Sequence, residues 1–164
     1  GYDLLISAFG QLKLPLDKWE LVIIGEGEER VNLEQQIDRT GLNSNVYLLG
    51  RKGKKEIGSI LCNSDVFVLP SRSETFGVVY VEAMMMGLPV IATVCGGPEE
   101  FVQKTDGLLV PCDDVEALSS AIKDMYENCH QYDHKKISAD SRARFSPNVI
   151  ASQLINVFQE VMCK

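Results

Sequence analysis

Apolar and polar positions along the chain follow two periods in turn. Leu4, Leu5, Ala8, Phe9 and Leu12 recur at helical spacing, so residues 2–12 predict an amphipathic helix. Leu21-Val22-Ile23-Ile24 is a short β-branched run that stops at Gly25 and predicts a buried parallel strand. After the Gly25-Glu26-Gly27 turn, a helix is predicted from about Glu28 to Thr40. Val46–Leu49 predicts a second strand, Lys54–Cys62 a short helix and Asp65–Leu69 a third strand. Gly77–Met86 is a run of helix formers closed by Gly87-Leu88-Pro89, and it is apolar almost all round, which predicts a helix buried on every side. Val90–Thr93 predicts a fourth strand and Glu100–Gln103 a single helical turn. The Asp106-Gly107 turn introduces a fifth strand at Gly107–Val110. Asp113-Asp114 suits the cap of a helix over Val115–Cys129. Gln131–Arg144 and Pro147–Met162 predict two more helices, the second opening at a proline.

Strands that alternate with helices imply a parallel sheet with helices on both faces. The expected fold class is α/β: a Rossmann-like three-layer α/β/α domain with a mostly parallel sheet, spanning residues 1–164. Such sheets bind ligands beyond the carboxyl ends of their strands. The loops at Gly25 and Gly27, at Gly50-Arg51, at Ser71–Gly77 and at Gly96-Gly97 all fall on that edge. The first of these is not a dinucleotide fingerprint, because Arg30 stands where the third glycine belongs.

Composition narrows the partners. The 164 residues suffice for one domain with a substantial core. The net charge of −7 and the lack of a basic stripe argue against nucleic acid and against a polybasic membrane patch. No apolar run reaches the ~18 residues of a membrane span. Cys62, Cys95, Cys112, Cys129 and Cys163 are odd in number and include no C-x-x-C pair, which suits reduced thiols in a cytoplasmic protein. Cys95 reads as a small core residue, and His130 and His134 as surface residues of the helical tail.

The candidate chemistry lies between Ser71 and Thr93. Glu74 and Glu82 have seven residues between them, with Phe76-Gly77 at the predicted helix start. A buried carboxylate at Glu82 needs hydrogen-bond donors, and a vicinal diol supplies two. Free N–H groups at Phe76-Gly77-Val78 favour an anion such as phosphate, and Gly77 allows close approach. Glu82 follows Val78 by one turn, about 6 Å along the axis, which matches the step from a diphosphate to ribose hydroxyls. Glu74 lies before the helix. The order suits sugar, diphosphate, ribose. Spacing alone leaves another account open, in which Glu82 is a core carboxylate tied to a backbone or arginine partner and Glu74 a helix-start residue favoured by the dipole.

The run P-S-x-x-E-x-F-G-x-x-x-x-E-A-M-x-x-G-x-P-V-I-A-T, followed by Gly96-Gly97 and Glu100, resembles the donor-binding half of GT-B glycosyltransferases, and more narrowly the retaining family 4 type. The similarity runs from Gly1-Tyr2-Asp3-Leu4-Leu5 to about Ser146. It implies transfer of a sugar from a nucleotide-diphosphate sugar to an acceptor hydroxyl with retained configuration, as in polysaccharide biosynthesis, with no metal and no cofactor. Glu74 is then the catalytic residue, orienting the sugar, and Glu82 holds the ribose. Phe76, Gly77 and Val78 contact sugar and phosphate through their backbone, and Gly25 and Gly27 approach the nucleotide. Gly96 and Gly97 suit close approach to ligand, though a simple turn serves as well. Arg51 lines the base pocket or belongs to a solvated basic turn.

Members of the family carry an opening strand with an arginine, and a lysine directly before Gly-Tyr-Asp, which supply positive charge to the diphosphate. The expectation is a C-terminal half whose opening strand, basic residues and N-terminal acceptor domain lie outside these residues. The fragment alone is then inactive, and a glycan or lipid-linked acceptor is met by the other domain. Location is expected to be cytoplasmic, with a peripheral place at the inner membrane face left open through that other half. Two alternatives are a GT-B nucleotide-sugar epimerase and a non-catalytic glycosyltransferase-like module.

Overall fold

A computed structural model describes residues 1–162. Seven α-helices are α1 (Tyr2–Gln11), α2 (Arg30–Thr40), α3 (Lys54–Cys62), α4 (Val78–Met85), α5 (Val115–Asn128), α6 (His134–Phe145) and α7 (Pro147–Met162). They alternate with β1 (Leu21–Ile23), β2 (Val46–Leu48), β3 (Phe67–Leu69), β4 (Val90–Val94) and β5 (Gly107–Pro111). Short 3₁₀ turns occupy Leu16–Lys18, Pro98–Glu100 and Cys129–Gln131.

All strand pairing is parallel. β1 pairs with β2, placing Leu21 opposite Val46. β4 is central to the other ladder, with Val90 opposite Phe67 of β3 and Gly107 of β5. Because β4 is paired on both sides, Val90, Ile91, Ala92 and Thr93 are all buried. One face of the sheet packs Leu4, Leu5 and Phe9 of α1, Leu33 and Ile37 of α2 and Leu118, Ile122 and Met125 of α5. The other packs Tyr80, Val81 and Met84 of α4 with Phe101, Val102 and Ile137 of α6. These are the expected three layers.

The sheet differs from the expected continuous one, being formed as two ladders. β1 and β3 do not hydrogen-bond to each other. Their edges line a cavity of about 960 Å3, together with Tyr2, Leu5 and Val79. With one edge unpaired, β1 is not buried throughout: Val22 is exposed on the cavity side while Leu21 and Ile23 face the core.

Caps account for where these helices begin. Asp114 accepts from the Ala117 N–H at 2.8 Å, so α5 begins where expected. Asp133 accepts from Lys136 N–H at 3.0 Å, and α6 starts at His134 rather than at Gln131. α7 is exposed along its length, with Ile150, Leu154, Phe158 and Val161 on one stripe.

A buried ion pair ties α6 to the sheet. Asp106 is 2% exposed; its Oδ2 accepts from Arg144 Nη2 at 3.0 Å, and Arg144 Nη1 donates to the Phe101 carbonyl at 2.9 Å. Removing one partner leaves a buried charge without compensation. Arg144→Met is expected to cost about 3 kcal/mol, read as a lower urea midpoint at unchanged slope.

Candidate functional site

The loop Ser71–Phe76 leaves β3 and enters α4 through Gly77. Five hydrogen bonds fix its path. Thr93 Oγ1, buried on β4, donates to the Ser71 carbonyl, and Cys112 Sγ approaches the same carbonyl at 3.6 Å. Ser71 Oγ donates to Glu74 Oε1 at 2.8 Å, and Glu74 N–H donates to the Cys95 carbonyl at 3.4 Å. Tyr80 of α4 donates its hydroxyl to the Leu69 carbonyl, and burial pushes the pKa of that hydroxyl up, so it stays protonated. Glu74 is thereby half-buried and held, with one oxygen committed to Ser71 and the other without a hydrogen bond among the described residues.

Gly77 is where the chain turns. Its φ of +92° lies in the left-handed region, and a Cβ there would sit 2.7 Å from the Tyr80 ring. The start of α4 has no side-chain cap, and Val78 and Val79 are exposed there. Its first N–H groups are therefore free to receive an acceptor. The Phe76 ring is fixed from the other side by Phe101 at 5.0 Å and Phe145 at 5.9 Å, centroid to centroid.

Gly96 and Gly97 pack against this loop. A Cβ on Gly97 would lie 2.6 Å from the Phe76 carbonyl oxygen, and one on Gly96 3.0 Å from that of Glu74. Their lack of side chains brings Glu74, Phe76, Gly77, Gly96 and Gly97 together. Glu99 closes the turn, accepting from Gly96 N–H at 2.8 Å and Cys95 N–H at 3.2 Å. Its own N–H, then those of Gly96 and Cys95, hold Glu99 below the usual carboxylate range.

Glu82 corrects one expectation. It is exposed, not buried, and it lines the large cavity beside Val79. α4 buries Tyr80, Val81, Ala83 and Met84 but exposes Val78, Val79, Glu82 and Met86. Residues 78, 82 and 86 fall one turn apart on the open face, so the apolar residues hid a two-faced helix. Glu82 has no protein hydrogen bond among the described residues and needs no core partner.

Gly25, Gly27 and Arg51 sit on the loops of the other ladder, and all three are exposed. Gly25 N–H donates to the Gly50 carbonyl at 3.0 Å, joining the two loops. Nothing lies within 4 Å of a Cβ built on Gly27. Arg30, in the third-glycine position, clamps Glu26 at 2.8 Å, Glu34 at 2.9 Å and the Leu48 carbonyl at 3.2 Å. It is a structural tie, in keeping with the absence of a dinucleotide fingerprint. His130 and His134 are exposed on the helical tail, away from these loops.

Residues to which the sequence reading gave no role complete the site. Ser71, Thr93, Tyr80 and Glu99 position the loop. Arg72 donates to Asp3 at 3.0 and 2.8 Å and to Asp113 at 2.6 Å, tying the loop to α1 and to the turn after β5. Asp113 adopts φ +54° to reach it. The only sequence signal was their proximity to the glutamates, since the contacts span up to 69 positions.

A parallel sheet covered on both faces, with a shaped loop at its carboxyl edge, defines an α/β domain of the Rossmann-like kind. Residues 1–149 match the family described as glycosyl transferases group 1, and the chain belongs to that family. It is 33% identical over 135 residues to a GDP-mannose-dependent monoacylated alpha-(1-6)-phosphatidylinositol monomannoside mannosyltransferase of Corynebacterium glutamicum, covering 78% of this chain and 35% of the relative. Its fold superposes on Anabaena Alr3699/HepE in complex with UDP (TM-score 0.86, 28% identity, 98% of this chain and 45% of that one). It also superposes on sucrose-phosphate synthase from Thermosynechococcus elongatus (TM-score 0.85, 26% identity, 99% and 42%). The chain thus spans less than half the length of these relatives.

Gly77→Ala forces a side chain into a left-handed position and onto the Tyr80 ring. It is expected to cost about 1–3 kcal/mol, against at most about 0.5 kcal/mol for Gly27→Ala in open space. Paired chemical denaturation of the two variants checks the difference.

Proposed function

We propose that this domain binds a nucleotide-diphosphate sugar across the start of α4 and, within a longer protein, transfers the sugar to an acceptor hydroxyl with retained configuration. The observation that carries this is the arrangement around Gly77. A positioned acid, Glu74, lies before an uncapped helix start, and a second acid, Glu82, lies one turn along the exposed face. The UDP and UDP-glucose complexes of Anabaena Alr3699/HepE support a nucleotide sugar as the ligand class.

Each residue then has a task. N–H groups at Gly77-Val78 take the diphosphate and stabilise the charge that grows on it as the sugar departs. Glu82, open to solvent and unpaired, accepts from the two ribose hydroxyls. The free oxygen of Glu74 accepts from sugar hydroxyls and fixes the reacting carbon. The transition state has oxocarbenium character, as in glycoside hydrolysis, and a carboxylate nearby favours it electrostatically. Glu74 orients the donor and is not a nucleophile. Gly25 and Gly27 leave room for the nucleoside, with Arg51 beside its base. No metal takes part, so EDTA is expected to leave the rate unchanged.

Two carboxylates beside a diphosphate require cationic partners. Arg72 is already committed to Asp3 and Asp113. The remaining positive charge comes from a preceding segment whose strand occupies the slot between β1 and β3. The facing unpaired edges, and the backbone of Gly1 lying against the Pro70 carbonyl at the end of β3, support that placement. A second domain, carrying the glycan or lipid-linked acceptor site, packs beside this one. The apolar stripe of α7 supports further protein contact.

In the full-length enzyme, Glu82→Ala is expected to weaken UDP or GDP binding by calorimetry about tenfold, or 1.4 kcal/mol; unchanged affinity overturns its ribose role. Glu74→Gln is expected to lower kcat more than donor affinity, and equal losses in both count against orientation.

A further inference from the structure

The last register pair of β4 and β5 is Val94 opposite Pro111. Cys95 and Cys112 are each one residue beyond it, just past the ends of adjacent parallel strands. Paired residues of neighbouring strands lie about 4.8 Å apart, within the ~4.4–6.8 Å between Cα atoms that a disulfide spans. The Cys112 side chain reaches back over the end of β4. Cys112 Sγ donates to the Val94 carbonyl at 3.2 Å, one peptide unit from Cys95. Both thiols are free and partly exposed.

The two cysteines also sit on the hydrogen bonds that hold Glu74. Ser71, whose hydroxyl binds Glu74, receives the Cys112 thiol at its carbonyl, and the Glu74 N–H is received by the Cys95 carbonyl. Burial pushes the Cys112 thiol up, which keeps its S–H available for these carbonyls.

We propose that Cys95 and Cys112 form a reversible disulfide site that sets the position of the Glu74 loop and so tunes donor binding. A low-molecular-weight disulfide such as glutathione disulfide is the oxidant. Both S–H bonds are lost and one S–S bond forms between the chains of β4 and β5. Two electrons and two protons pass to the oxidant, which leaves as two thiols. The bridged Cys112 no longer donates to the Ser71 or Val94 carbonyl. The pull on residue 95 is passed to Gly96, whose φ of +120° marks the adjoining turn, and to the Glu74 N–H. A bridge between two partly exposed cysteines is readily reduced again.

The effect on donor binding rests on the glycosyltransferase reading above, whereas formation of the bridge does not. The protein is incubated with glutathione disulfide, its remaining thiols are alkylated, and its peptides are mapped by mass spectrometry. A peptide pair joining Cys95 to Cys112, removed by dithiothreitol, is expected, with Cys62 and Cys129 alkylated. Separate glutathione adducts at 95 and 112, or bridges to other cysteines, overturn the site. UDP affinity is measured on the full-length protein in both states. A fall of about tenfold on oxidation, reversed by reduction and lost in Cys95→Ser and Cys112→Ser, is expected; equal affinities overturn the coupling to the loop. Should reduced protein bind neither UDP nor GDP, the donor reading fails, and the peptide map still decides the bridge.

Discussion

The site depends on how closely the Gly96-Gly97 turn approaches the backbone of residues 74–76. A single methyl group at Gly97 would overlap the Phe76 carbonyl. That close approach lets Cys95 accept from Glu74 and lets Phe76 settle against Phe101 and Phe145. The loop is thus clamped between a strand end below and an aromatic cluster beside it. Interior packing is dense enough that such a contact either fits or moves its neighbours. A side chain placed this way pays little ordering entropy when a ligand arrives, which is the usual benefit of a preorganised site.

The two acids have opposite environments. Glu74 is half-buried and already engaged by Ser71, so its geometry is set before any ligand binds. Glu82 is open and has no hydrogen-bond partner among the described residues. Position is imposed on one by the loop and on the other by the helix, whose 1.5 Å rise per residue fixes its distance from the free N–H groups. Alternate burial along α4 provides this: Tyr80, Ala83 and Met84 anchor the helix, leaving the Val78–Glu82 face open.

Membership of the glycosyl transferases group 1 family agrees with the architecture, and the relatives it matches are longer chains. Two surfaces match that context. One is the slot between the unpaired edges of β1 and β3, the other the apolar stripe on α7.

Periodicity and turn chemistry determined the order of elements, the parallel α/β class and the glycine-marked loops, because those features are local: β-branched runs, caps and breakers act within a few residues. The spacing of Glu74, Gly77 and Glu82 was likewise local and marked the loop that enters α4. Tertiary structure decided the rest. The burial of α4 on one face only could not be read from a helix of nearly uniform hydrophobicity. The division of the sheet depends on which edges find partners. Ser71, Thr93, Glu99 and Cys112 acquired their roles because strands far apart in sequence end side by side. Local propensity selects the elements; only packing brings distant hydrogen-bonding groups within reach of one another.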